Sequence, residues 1–144
     1  MAVISTLSNH YKYKVMKGEI DFNADVFKVM LMKDTFTFDK DTRATYLNVS
    51  GEEVGTGNGY TAKGVTLISG ELTENDATDK GVMTWTDLAT WIASGGSIGP
   101  AGAAIVFDET SSDDTVIGCI DFGEDYTATD GTSIQVNTIV TDLA

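Results

Sequence analysis

Few residues in this chain have the types and spacing that do chemistry. Gly57-Asn58-Gly59-Tyr60-Thr61-Ala62 fits G-x-G-x-x-A, the pattern of a turn that cradles a phosphate. Such a turn needs a strand before the glycines and a helix after them, because the helix N-terminus holds the pyrophosphate. Here Lys63-Gly64 follows, and then "VTLIS", a short run of strand character. The sequence therefore predicts a bend, with glycines at 55, 57 and 59 available for positive φ, and no nucleotide affinity.

Carboxylates are the next candidates. Asp108, Glu109, Asp113 and Asp114 bracket one turn, and Asp121, Glu124, Asp125 and Asp130 lie around another. Calcium takes about six to eight oxygens held in a set geometry, so a metal site is one reading. No EF-hand spacing is present, and a solvated acidic rim is the stronger reading. The single histidine, His10, stands in the first ten residues, which read as an N-terminal arm. Any Ser-His-Asp or Cys-His arrangement would have to use it. The single cysteine, Cys119, rules out an intramolecular disulfide and sits in the apolar run "TVIGCIDFG", where it reads as a small buried hydrophobe. H-E-x-x-H, C-x-x-C and P-loop motifs are absent. Trp85, Trp91, Tyr60 and Phe107 could line a sugar-binding groove, but aromatics at such positions more often form core. The expectation is a protein that is not an enzyme, with no catalytic, cofactor-binding or metal-ligating residues.

The elements that would position these groups are mostly strands. With 144 residues, 42% hydrophobic and one proline, the chain suits a single folded domain. It is divided here into an arm, 1–10, and a body, 11–144. Tyr11, Tyr13 and Val15 alternate with Lys12 and Lys14, a strand period. "VFKVMLM", residues 26–32, is apolar on nearly both faces and reads as a central strand. "GVTLIS" and "VMTWT" are further strands. "AAIVF" and "TVIGCIDFG" flank "DETSSDD" as a hairpin, and "TSIQVNTIV" closes the chain with Ile134, Val136 and Val140 on one face. One short helix is expected over residues 87–93, with Leu88, Trp91 and Ile92 on one face and "ASGGSIGPAGA" a loop after it. Short strands with turns every ten to fifteen residues predict an all-β antiparallel sandwich, of which a jelly roll is one form.

Net charge is −13, which disfavours nucleic acid as a partner. No apolar run approaches the ~18 residues that span a bilayer, and the N-terminus lacks the pattern of a signal peptide. Residues 1–43 carry seven basic and six acidic side chains, whereas residues 81–144 carry ten acids and no Lys or Arg.

The order of segments resembles a family of small virion structural proteins of tailed bacteriophages. A lead such as "IDFNADVFKVMLMKDTFTFDKDTRATYLN" is followed by the glycine element "EEVGTGNGYTAKGVTL", then by "MTWTDLATW", "AAIVFDE" and "IGCIDFGED", and by a last alternating strand. The resemblance covers about residues 18–140. Lys63 stands where that family commonly has glycine, and "IASGGSIGPAG" is longer than the usual link. The resemblance implies a structural role: a decoration or cement protein on the outer surface of the head, bound to the major capsid protein and clamping neighbouring capsomers. It leaves a tail, neck or fibre-attachment component as the alternative, and a virion carbohydrate-binding module as a reading of another class. Homo-oligomers are expected on a symmetric lattice, with no nucleic acid, membrane or small-molecule partner. His10, Tyr11, Lys12, Tyr13 and Lys14 are the candidate contact residues, and the acidic loops 108–114 and 121–130 are expected to face outward.

Overall fold

A computed structural model describes residues 2–143. The chain is all-β and sandwich-like, with mainly antiparallel sheets and two short helices. It opens with β1 (Ala2–Val3) and β2 (Thr6–Leu7), followed by α1 (Asn9–Met16) and β3 (Phe27–Lys33). Helix α2 (Tyr46–Val49) runs into a 3-10 turn (Ser50–Glu52). Then come β4 (Val65–Thr66), β5 (Gly70–Asn75), β6 (Lys80–Trp85), β7 (Ala89–Ile92), β8 (Ile98–Asp108), β9 (Thr115–Ala128), β10 (Ser133–Val136) and β11 (Ile139–Leu143). One sheet has the order β2-β9-β8-β3-β4, a second β1-β11-β6-β5, and β7 pairs with β10 in a third.

The five-stranded sheet is covered on both faces, which is why 26–32 is apolar throughout. Phe27, Val29 and Leu31 point into the main core with Trp85, Trp91, Ile117 and Ile139. Met30 and Met32 point the other way, into a second core with Val49, Ile105, Phe107 and Cys119, roofed by Phe36, Phe38 and Tyr46. The polar stretch after β3 thus returns its few aromatics to close that second face.

Four expectations need correction. Residues 11–15 are helical, not a strand. Ser8 caps α1, its hydroxyl accepting from the Tyr11 N–H. Tyr11 and Val15 satisfy both periods. Tyr13 decides between them, because it lies exposed while Tyr11 is buried, as i, i+4 packing requires. Second, the helix expected over 87–93 is absent, and Ala89–Ile92 is a strand. Ala89 and Trp91 face inward and Ile92 outward, a period of two, and β10 supplies the ladder. A segment this short gains little from helix nucleation. Third, the loop expected after it is shorter, since β8 begins at Ile98 and crosses the Gly99-Pro100 pair by irregular register against β9. Fourth, the closing strand is two strands in different sheets, broken at Asn137-Thr138, so that Ile139 and not Val140 is the fully buried residue.

Residues 2–7 are also tied into the sheets, and Asn9 and His10 open α1. β1 runs parallel to β11, β2 pairs with β9, and Ile4 between them is buried in the main core. No free arm is present over residues 2–10.

Candidate functional site

The glycine element is a turn. Gly57 and Tyr60 exchange backbone bonds, N–H to carbonyl, of 2.9 and 3.0 Å. Gly57, Asn58 and Gly59 all have positive φ, and so do Lys63 and Gly64, but Gly55 does not. A strand follows, so no helix N-terminus faces the glycines. The turn is held from inside by Glu53, a buried carboxylate. Its Oε1 accepts from the Tyr60 hydroxyl (2.8 Å) and the Lys63 N–H (2.7 Å), and its Oε2 accepts from the Tyr46 hydroxyl (2.8 Å). The Tyr60 oxygen in turn accepts from the Leu31 N–H (3.0 Å). Burial, and then Glu53, push the Tyr60 hydroxyl well above its ordinary range and the Tyr46 hydroxyl up to about 12, so both stay protonated as donors.

This network ties the loop 53–64 to β3. Its geometry is a satisfied anchor and not a reactive dyad. Glu53→Ala should leave two hydroxyls and one N–H without an acceptor and cost on the order of 3 kcal/mol in urea denaturation. A loss under about 1 kcal/mol would contradict the role given to Glu53.

The other chemical candidates resolve similarly. Trp85, Trp91, Tyr60 and Phe107 are buried, so they form no open sugar platform. Burial, with Asp121 nearby, pushes the Cys119 thiol up to about 12, the opposite of an activated nucleophile. Among the described residues no three His, Cys, Asp or Glu side chains gather as a metal cage, and no helix is long and apolar enough to cross a membrane.

The five candidate contact residues share one helix but divide in role. Tyr11 is a core residue, 1% exposed. Lys14 is mostly covered, and its Nζ bonds Glu19 (2.5 Å) and lies 3.8 Å from Asp113. His10 Nε2 meets Asp113 Oδ2 at 2.8 Å. Lys12 and Tyr13 point outward, with Tyr13 55% exposed beside Met16 at 89%. Lys17 lies over the Tyr13 ring. The helix is thus fastened by Tyr11, Lys14 and His10 and offers Lys12, Tyr13 and Met16 to solvent. Met16 was missed as a candidate. The i, i+3, i+4 pattern would have placed it beside Tyr13 only once the segment is seen as a helix.

The loop 108–114 does not stand outward as a row of free acids. Asp108 is buried, Asp113 meets His10 and Lys14, and Asp114 pairs with Lys63 (2.9 Å). His10, Lys14 and Lys28 of the N-terminal third meet this loop, so the charge division along the sequence is not a division between faces here. The 121–130 cluster is exposed as expected. Asp121, Glu124 and Asp125 join Asp34, Phe36 and Phe38 around an open hollow of about 560 Å³.

Burial raises the Asp113 carboxyl, but bonds from Thr115 and His10 and the charge of Lys14 outweigh it and hold the group below the usual carboxylate range. A depressed folded-state pKa gives stability that is complete above the unfolded carboxylate value and lost as pH falls through the folded one. Asp113→Asn should therefore cost about 1 kcal/mol at neutral pH, and the gap from wild type should close on acidification through the carboxylate range. A gap that persists unchanged at low pH would show that packing, not charge, is lost.

No protein-family model, curated protein or solved structure matches the chain.

Proposed function

We propose that this protein is a structural component of a tailed-phage virion, a decoration or cement protein that binds the major capsid protein on the outside of the head. The observation that carries the reading is the outward face of α1. An exposed aromatic and an exposed methionine sit between Lys12 and Lys17 on a chain whose net charge is −13. Tyrosine and methionine are enriched at protein interfaces, and an aromatic on a fastened helix loses little entropy when it docks. The local lysines favour an acidic partner surface. The chain's overall negative charge suits a position facing solvent and away from packaged DNA.

The resemblance in segment order supports the same role, and the buried or paired state of His10, Glu53 and Cys119 leaves little for catalysis. Clamping works by mass action, since a protein that binds only the assembled shell stabilises that shell. Self-association belongs to the proposal, because repeated sites on a symmetric shell favour symmetric oligomers.

Electron microscopy of the particle, with density assigned to this chain, tests the placement. Density over capsomer junctions on the outer head is the expected result. Density at the tail or neck would replace the head by the tail as the site of action, and a chain absent from the particle would end the virion reading.

A further inference from the structure

Strand β9 carries a wide bulge where it passes β8. Asp121 pairs with Ala103 and Tyr126 with Ala101, so residues 122–125 stand opposite Gly102 alone. An insertion of this kind re-aims side chains. Here it sorts them to two sites. Gly123, Glu124 and Asp125 line the acidic hollow with Asp34. Phe122 and Tyr126 instead line a separate open cleft of about 380 Å³, shared with β10.

The cleft combines an apolar base with polar groups. Ile120, Ile134 and Val136 line it as buried side chains. The Phe122 and Tyr126 rings meet edge to face, with centroids 5.7 Å apart. Tyr126 is 44% exposed, and its hydroxyl donates to Glu124, which steadies the ring. From β10 come Ser133 and Gln135, with Asn137 just past its end. All three are exposed, so a hydroxyl and two carboxamides are open to a ligand. Among the described strands β10 pairs with β7 alone, which leaves backbone N–H and C=O groups on its other edge. Among the described residues no charged side chain lines the cleft, although the chain carries 22 acids.

We propose that this cleft binds a neutral sugar, a mono- or disaccharide unit of a glycan. A pyranose has a face of C–H groups and a rim of hydroxyls that both donate and accept. Aromatic rings pack on the first, and carboxamides answer the second in both senses. The volume and the mix of apolar lining with a few polar groups match small-molecule sites. An anionic sugar meets no cation here, since residues 81–144 hold no Lys or Arg and the net charge is −13. A peptide strand is the poorer fit, because β10 has four residues and only alternate ones direct their backbone groups to the open edge. The cleft is built from β9 and β10, so it is separate from the α1 face proposed to meet the capsid.

The test is titration of the isotope-labelled intact protein with lactose, maltose and di-N-acetylchitobiose, followed by amide shifts and calorimetry. Sialyllactose is the anionic comparison, and an uncharged peptide of alternating threonine and valine is the strand comparison. At least one neutral disaccharide should bind saturably by about 10 mM and move amides in 122–127 and 133–137. Tyr126→Ala, and Gln135→Ala with Asn137→Ala, should each weaken that sugar at least about tenfold while melting like wild type. Asp121→Asn, in the acidic hollow, should leave it unchanged. No saturation by any of the three sugars would overturn the proposal. So would shifts confined to other segments, full affinity in both variants, or sialyllactose binding as tightly as lactose. Movement of the β10 amides by the peptide but by no sugar would make the cleft a strand-docking edge and overturn it too. If neither variant folds, the amide shifts of wild type decide alone.

Discussion

Gly64→Ala should cost more than about 3 kcal/mol and bring this small domain near or below its folding threshold. Gly64 has φ +66, and a Cβ there would fall on the Val29 carbonyl oxygen, well inside contact distance. The obstacle is backbone in β3, an interior strand of the five-stranded sheet, so no side chain can turn aside to make room. The left-handed conformation adds about 1–2 kcal/mol for an L-residue. Gly59→Ala meets the Ile92 carbonyl in the same way, also at positive φ. Gly55 is the control, since it has open space and no positive φ, and Gly55→Ala should stay within about 0.5 kcal/mol of wild type. Thermal melts of the three variants separate these outcomes. A Gly64→Ala protein that melts like wild type would mean that β4 does not approach β3 as described.

Trp85→Ala and Phe107→Ala should each cost on the order of 3–5 kcal/mol, but through different cores. Trp85 packs against Phe27, with ring centroids 5.4 Å apart, in the core between the two larger sheets. Phe107 lies against Tyr46 at 5.6 Å, on the opposite face of the five-stranded sheet. Amide exchange should tell them apart. Phe107→Ala should loosen protection around α2 and the 3-10 turn first, whereas Trp85→Ala should lower protection in β6 and β11. A soluble variant with unchanged melting temperature would show that its ring is not a core residue.

How much of this was legible in the sequence depended on how many alternatives each pattern left open. The central strand over 26–32 and the 108–115 hairpin were plain, because an apolar run on both faces and a polar turn between apolar runs have few other solutions. The glycine bend was legible for the same reason, as a strand-like run directly after it excludes the helix that a nucleotide site needs. Residues 11–15 were not legible, since Tyr11 and Val15 fit both a strand and a helix period, and the Ser8 cap was the overlooked signal. Residues 87–93 failed in the opposite direction. Leu88, Trp91 and Ile92 make a helical face on paper, but the pairing with β10 comes from more than forty residues away, and no local pattern announces it. The charge asymmetry was real along the chain and misleading in space, because His10 and Lys14 reach across to Asp113. The buried Asp108 was seen only as one acid in a cluster. That its Oδ2 lacks a donor is a fact of tertiary packing.

The central claim is that the outward face of α1 makes the contact with the capsid, and add-back to undecorated heads tests it most directly. Residues 2–10 supply β1, β2 and the start of α1, so point substitutions serve better than a deletion. The variant is Lys12→Glu with Tyr13→Ala, and the control is Asp121→Asn with Asp125→Asn on the exposed acidic hollow. Both leave the buried contacts of Tyr11 and Lys14 intact and should melt like wild type. The account predicts that wild type and the hollow variant fill the heads, while the helix variant needs at least about tenfold more protein for equal occupancy, the effect of about 1.4 kcal/mol lost at an interface anchor. Full occupancy by the helix variant, or loss of binding by the hollow variant alone, would contradict it.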